Sequence, residues 1–320
     1  MKRENNLYGK IYDMENLRLA DKNARSGKTK QYGVIQFDKK KEENLLAVHS
    51  MLKNKTYQIS PYKVFPLIER RKERIVSSLP YMPDRIIQHA ALNIIADLLM
   101  STFTADTYSC IKKRGIHACS KAVKRALRNE AATKYCLKID IKKFYPNIDH
   151  DILKQLLRRK IKDRDLLWLL DEIIDSADGV PIGNLLSQTF ANLYLTPFDH
   201  WMKEVMCERT HIRYMDDMVS FADNKEHLHK LLAAMRQYLC EKLKLEIKDN
   251  YQIFAVEDRG VDMVGYVHYH THTKLRPDIK NSLCRAVAQG KSRSTIASLK
   301  GWADKKHCNS GNLLEKLNLN

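Results

Sequence analysis

The chain of 320 residues has no CxxC pair, no apolar leader, no hydrophobic run of membrane-spanning length, and no internal repeat or low-complexity tract. Its seven cysteines (Cys110, Cys119, Cys136, Cys207, Cys240, Cys284 and Cys308) are an odd set without metal-ligand spacing. That argues against a disulfide framework or zinc knuckle and predicts reduced thiols in a cytoplasmic protein. The opening MKRENNLYGK lacks the apolar core of a secretory signal. The longest apolar stretches are short and amphipathic, so no membrane partner is expected. Two fragments, SGKT at 26–29 and GKS at 290–292, resemble the end of a phosphate loop. Lys22 and Arg285 stand where its earlier glycine belongs, so neither is read as one. Acids are also scarce, 38 against 56 Lys and Arg, for a formal net charge of +18. Such an excess suits a polyanion, most simply nucleic acid, or else a basic protein with scattered surface lysines.

Hydrophobic residues reach 44%, enough for real cores, and the length predicts two or three subdomains. Residues 1–40 read as a polar, basic cover. Leu45, Val48 and Leu52 recur at helical spacing within 41–54. Strand, charged turn and strand follow, then a long helix from about Pro83 and another from about His117. YCLKIDIKKFY (135–145) alternates like a half-buried strand ended by Pro146, and helices are expected at 150–161 and 164–176. DGVPIG turns the chain into a long helix through 206. After an acidic strand at 211–221 come a helix over 225–243 and a hairpin over 251–270. Residues 269–320 carry ten Lys or Arg against three acids and read as basic and helical.

The acidic strand is HIRYMDDMVSF. Ile212, Tyr214, Met218, Val219 and Phe221 are strand formers, yet Asp216 and Asp217 lie among them. Adjacent carboxylates repel and resist burial. Either they cap a turn, or a cation justifies them. Asp140, at the end of an apolar strand whose Ile139 and Ile141 face the other way, would complete an oxygen cage for hard divalent ions. Two such ions can activate a hydroxyl and stabilise a leaving phosphate, which is nucleotidyl transfer.

An apolar strand ending in Asp140, a glycine turn with its helix, YMDD, LKLEIK and GVDMVGY occur in that order. The series resembles the palm of a reverse transcriptase, and DRIIQHAALN (84–93) and TYSCIKKRGIHACSKAV (107–123) are similar to the fingers motifs of its retron and group II intron relatives. The resemblance covers roughly 60–268. It implies an α+β right-hand polymerase: an N-terminal extension and fingers over 1–133, an antiparallel-sheet palm over 134–268 with fingers-side helices at 150–176, and a short basic helical thumb over 269–320. Asp140, Asp216 and Asp217 would hold two Mg²⁺ ions, or Mn²⁺ in their place, with Ile141 completing the ligand set. Tyr145 would gate against a 2′-hydroxyl, unless it is only a core tyrosine. One or two of Arg74, Lys112, Lys113 and Arg114, Arg74 foremost, would neutralise the dNTP triphosphate, the rest being equally a solvated basic face, and Lys248 would protonate the leaving pyrophosphate. Tyr266 and Tyr269 would brace the primer end. His268, His270 and His272 fall on one face of a strand, either a zinc site or, in preference, a surface near the primer.

Most relatives carry QGxxxSP between the first and second aspartates. Here VPIGNLLSQTF puts Ile182 for the glutamine, keeps Gly183, and puts Gln188 for the proline. This IGxxxSQ form resembles the reverse transcriptases of diversity-generating retroelements, and the small size without further enzymatic segments agrees. The resemblance implies a bacterial or phage-encoded enzyme that copies a template-repeat RNA into cDNA mutated at adenines. Its partners would be template RNA, primer or cDNA, dNTPs and a small basic oligomeric accessory variability protein. Ile182, Gly183 and Gln188 would lie against the nascent pair. Ile182 cannot offer a glutamine's hydrogen bonds there, or it simply fills a gap under the helix. A retron or phage-defence enzyme of ordinary fidelity and a catalytically silent RNA-binding scaffold remain as alternatives. An RNA-dependent RNA polymerase is disfavoured by Tyr145 and the fingers motifs.

Overall fold

The computed structural model describes residues 3–69 and 72–319. They divide into two compact units: Met1–Phe103 with Lys143–Pro197 and Lys242–Leu245, and Thr104–Lys142 with Phe198–Glu241 and Glu246–Asn320.

The first unit opens with helices α1 (Tyr8–Ile11), α2 (Met14–Ala24), α3 (Tyr32–Asp38) and α4 (Lys41–Lys53). The first three replace the polar cover expected over 1–40. Their apolar residues are few, but Leu17, Ala20, Val34 and Phe37 are all buried. Asp13 caps α2 by accepting from the Glu15 N–H. Strands β1 (Lys63–Glu69) and β2 (Lys72–Ser78) form an antiparallel ribbon in which Leu67 faces Arg74. Helix α5 (Ile86–Met100) buries Ile86, Ile87, Ala90, Ala91, Ile95 and Leu99. It is tied to the N-terminal helices where Asn16 Nδ2 donates to the Ala90 carbonyl at 3.1 Å.

The chain then enters the second unit with β3 (Thr107–Tyr108), α6 (Ile116–Leu127) and β4 (Tyr135–Asp140). Strand β4 stops at Asp140 rather than running to 145. Lys143 adopts a left-handed φ of 44° and a 3₁₀ turn follows at Tyr145–Asn147, so the backbone cannot stay extended. Back in the first unit, α7 (His150–Arg158) and α8 (Arg164–Ile174) start at Asp149 and Asp163, each accepting from N–H groups of its first turn. Helix α9 (Leu185–His200) passes from the first unit into the second and ends in a π turn at Trp201–Val205.

The second unit resumes with β5 (Ile212–Tyr214), β6 (Asp217–Ala222), α10 (Lys225–Leu243) and β7 (Gln252–Ala255). Its sheet runs β3-β5-β6-β4-β7, antiparallel except for the short β3–β5 pair. Cys136, Val219, Phe221 and Phe254 bury one face of it against Cys119 and Val123 of α6. Helix α11 (Val256–Arg259) separates β7 from β8 (Val261–Met263), β9 (Tyr266–His268) and β10 (Thr273–Leu275), which form a three-stranded sheet of their own. The hairpin expected over 251–270 is therefore split: β7 extends the main sheet along β4, and the true hairpin is β8–β9. Gly260 (φ 71°) and Gly265 (φ 86°) supply the reversals. Helices α12 (Pro277–Ala288), α13 (Arg293–Trp302) and α14 (Gly311–Lys316) complete the expected basic helical segment.

Two expectations for this region fail. Tyr266 is fully buried among Leu275, Ile279, Leu283 and Ala303, and its hydroxyl donates to the Trp302 carbonyl at 3.1 Å. It is a core residue, not a brace for a primer. The three histidines do not share a face either. His268 is buried beside Thr273, His270 bonds to Thr133 and His272 stacks on Tyr269.

Candidate active site

Three carboxylates meet at one end of the main sheet. Asp140, the last residue of β4, is the register partner of Asp217, the first residue of β6. Tyr214 pairs with Asp217 across the β5–β6 hairpin, leaving Met215 and Asp216 as a two-residue turn in which Met215 takes a φ of 56°. The two adjacent acids are therefore a turn and a strand start, which lets both carboxyls reach the Asp140 side of the sheet.

A parallel constraint places Lys248. Ile141 forms a bridge with Ile247, the Lys142 N–H donates to Glu246 O at 2.8 Å, and the Lys248 N–H donates to Asp140 O at 2.9 Å. This short ladder brings the Lys248 ammonium to Asp140 Oδ2 at 2.6 Å. Lys138, two residues before Asp140, holds its Nζ 3.5 Å from Asp217 Oδ1, an ion pair too long for a strong hydrogen bond. Asp140 Oδ1 and Asp217 Oδ1 are buried with no hydrogen-bond partner.

Electrostatics follow from this crowding. Burial first, and then the charge of Asp140, raise the Asp216 pKa. Burial pushes Asp217 up to about 6, with help from Asp140 and Asp262 and against the pull of Lys138. Two half-buried carboxylates crowded against a third are costly in their charged form unless something positive joins them. Hard carboxylate oxygens, two of them without a hydrogen-bond partner, suit a divalent cation once the acids are ionised. Among the described residues no group of three His, Cys, Asp or Glu stands ready as a closed metal cage. The lysines at Asp140 and Asp217 supply positive charge at these carboxylates.

The other predicted residues fall in both units. In the first, Arg74 is exposed on β2. Ile182 and Gly183 are pinned to the same ribbon: the Ser77 N–H donates to Ile182 O at 2.7 Å, and Gly183 has a φ of 123°. A Cβ on Gly183 would lie 2.2 Å from Ser77 O, so only glycine fits. Gln188 is exposed in the first turn of α9. Tyr145 is half-buried, and its carbonyl accepts from the Val180 N–H at 2.9 Å. Gly179 packs so closely that its Cβ would sit 2.5 Å from that carbonyl oxygen. The glycine turn thus clamps the backbone of Tyr145. In the second unit, Lys112 and Lys113 are exposed. Arg114 spends its guanidinium on its own loop, donating to Thr104 O at 2.7 Å.

Sequence reasoning missed Arg213 and Asp199. Arg213 lies in β5 with 1% exposure, locked to the equally buried Asp199 of α9. The available signal was a lone arginine in an apolar strand directly before YMDD.

The order and pairing of these elements is shared with a known family. Residues 60–268 match the model of "Reverse transcriptase (RNA-dependent DNA polymerase)". The chain belongs to the reverse transcriptase family. Among curated relatives, the chain is 24% identical over 176 residues to the group II intron-encoded protein LtrA of Lactococcus lactis subsp. cremoris, a match that covers 51% of this chain and 29% of that protein. It is 26% identical over 139 residues to protein YkfC of Escherichia coli K12, covering 39% and 36% respectively. The chain thus spans about a third of the curated relatives it matches. Telomerase from Candida tropicalis with a fragment of telomeric RNA superposes with a TM-score of 0.54 at 12% identity, over 85% of this chain and 57% of that one. The apo form gives 0.53 over 76% and 56%. The fold is therefore the mixed helix-and-sheet fold of right-hand polymerases. No helix among the described residues is long and apolar enough to cross a membrane.

Proposed function

We propose that the chain is an RNA-directed DNA polymerase that extends a primer on an RNA template with dNTPs. The observation that carries this reading is the register of Asp140 with Asp217 beside the Met215–Asp216 turn, with two buried carboxylate oxygens that accept no hydrogen bond. Asp140, Asp216 and Asp217, with Ile141, would hold Mg²⁺, or Mn²⁺ in its place. When bound, paired divalent ions supply activation of the primer hydroxyl and neutralise charge on the leaving pyrophosphate.

The chain's own residues do the remainder. Lys248 neutralises Asp140 before catalysis and carries, on Nζ, a proton to give to the departing pyrophosphate. Arg74 and Lys112 contribute cationic contacts to the triphosphate, whereas Arg114 serves its loop first. Tyr145, fixed from behind by Gly179 and Val180, presents its ring to the sugar and excludes a 2′-hydroxyl. Ile182, Gly183 and Gln188 border the nascent pair. The surplus of basic charge grips the template–primer backbone without reading sequence.

The finer reading is that of a diversity-generating retroelement: a template-repeat RNA copied with errors at adenines, together with a small basic oligomeric accessory protein. The IGxxxSQ segment at 182–188 supports it. The likeness to a group II intron-encoded protein favours a second reading, a reverse transcriptase of ordinary fidelity. Primer extension on RNA with dNTPs and Mg²⁺, followed by cDNA sequencing, separates them. Errors concentrated opposite template adenines select the first and faithful cDNA the second. No extension, with or without accessory protein and cognate RNA, would overturn both and leave an RNA-binding scaffold.

A further inference from the structure

A cavity of about 230 Å³ opens within the first unit, lined among others by Lys28, Arg85, Gln88, His89, Gly183 and Asn184. Lys28 comes from the turn between α2 and α3. Arg85, Gln88 and His89 come from the start of α5, and Gly183 and Asn184 from the residues leading into α9. Two cationic side chains and no acidic one stand among its lining residues. Neither the Lys28 ammonium nor the Arg85 guanidinium has a hydrogen-bond or ion-pair partner among the described residues. Asp21, the buried acid of α2, is already engaged by Arg25, Lys41 and Tyr81.

The two cations act on each other. Burial, and then the charge of Arg85, lower the Lys28 pKa. Burial and the same two charges hold His89 at about 4, a neutral imidazole at physiological pH. Gln88 is 2% exposed, and its Oε1 accepts from the Leu185 N–H at 2.9 Å, which fixes the amide orientation. Its Nε2 is then a buried donor with no acceptor. Unpaired cations and an orphaned amide donor around one cavity call for an anion with several acceptor oxygens.

We propose that this cavity is a phosphate-binding subsite. An ammonium, a guanidinium and an amide N–H together match the oxygens of a phosphate. The phosphate belongs either to a strand of RNA or to a free nucleotide or pyrophosphate. Only the identity of that carrier rests on the polymerase reading; phosphate binding itself does not.

Arg85→Gln and Lys28→Gln, with Arg85→Lys as the charge-preserving control, test the subsite in the full chain. One readout is the thermal midpoint in millimolar pyrophosphate against chloride of equal ionic strength. Unaltered protein and Arg85→Lys should rise by about 2 °C through ligand linkage, and both glutamine variants should not. The other readout is the salt dependence of binding to a short fluorescent single-stranded RNA. Its logarithmic slope should fall by about 0.7 for each phosphate that the variant no longer neutralises. A reduced slope in the glutamine variants assigns the phosphate to an RNA strand. An abolished midpoint shift with the slope intact assigns it to a free phosphate compound. Glutamine variants that match unaltered protein in both readouts overturn the subsite. Primer extension run in parallel keeps the two readings apart. A chain that cannot extend but still shows the pyrophosphate shift keeps the subsite without the polymerase. Normal extension with both readouts unmoved does the reverse.

Discussion

Arg213 grips Asp199 through Nε (2.8 Å to Oδ1) and Nη2 (2.6 Å to Oδ2), while Nη1 donates to the Met215 carbonyl at 3.0 Å. One buried guanidinium thereby ties α9 to the left-handed residue that begins the Met215–Asp216 turn. Buried ion pairs add little net stability but are costly to break. Arg213→Ala should cost about 3–5 kcal/mol in urea unfolding. Arg213→Lys keeps the charge and loses the fork. It should fold, with kcat for nucleotide addition down by about tenfold or more and KM for dNTP little changed. An unaltered kcat in Arg213→Lys would remove the positioning role.

Asp216→Ala and Asp217→Ala should each reduce primer extension by about a thousandfold or more, as expected when a ligand of the reacting centre is lost. Stability should move in the opposite direction. In chelator-treated protein, Asp217→Asn removes a half-buried charge that faces Asp140, and it should gain about 1 kcal/mol. A urea midpoint that falls instead would show that Lys138 outweighs that repulsion.

The pH response can be given a sign. Asp217 titrates at about 6 in the fold against 3.8 for the free side chain. Between those values the folded chain holds a proton that the unfolded chain has lost. This contribution to stability is complete below about pH 4 and disappears as pH rises through 6. A divalent ion needs the ionised acid. The rise in thermal midpoint on adding Mg²⁺ should therefore be small at pH 5 and grow toward pH 7. A shift independent of pH would disconnect ion binding from this carboxyl.

Gly183→Ala meets both a φ of 123° and a carbonyl oxygen 2.2 Å from the new Cβ. Strain of this kind costs about 1–3 kcal/mol, and the 182–183 segment should peel from Ser77. Hydrogen exchange at the Ser77 amide, which donates to Ile182 O, should accelerate in the variant. Protection equal to that of unaltered protein would contradict the clamp.

Ile182→Gln restores the hydrogen-bonding side chain that most relatives carry. It should lower misincorporation opposite template adenines while leaving other errors alone, because a correct pair would then gain more on binding than a mispair. Deep sequencing of cDNA from both proteins decides this, and an identical error spectrum would refute it.

The legible parts of this chain were those written in local patterns. Strand β4 as far as Asp140 and helix α10 were evident from periodicity, whereas 211–221 read as one acidic strand whose acids could equally cap a turn or hold a cation. Residues 1–40 were not legible, because the buried positions make only short sets at helical spacing, Leu17, Ala20 and Ala24 in α2 and Val34 and Phe37 in α3, within a polar sequence; their burial comes from packing within the first unit. Tyr266 misled because an aromatic near a hairpin reads equally as surface or core, and only the helices arriving later in the chain decide. The Arg213–Asp199 pair joins residues 14 apart in sequence through the fold alone. Lys248 was found by resemblance, but its contact with Asp140 depends on the Ile141–Ile247 bridge, which no periodicity announces.

Gly265 turns the β8–β9 hairpin with no room to spare: a Cβ there would lie 2.5 Å from the Trp302 ring and 2.8 Å from Ile279. The next residue, Tyr266, is bolted by its hydroxyl to the Trp302 backbone. Hairpin tip and C-terminal helices are thus keyed together like a tooth in a socket. A load applied to α13 is felt at residues 264–266 without slack, and a hinge located between them would have to unseat a tryptophan before it could bend.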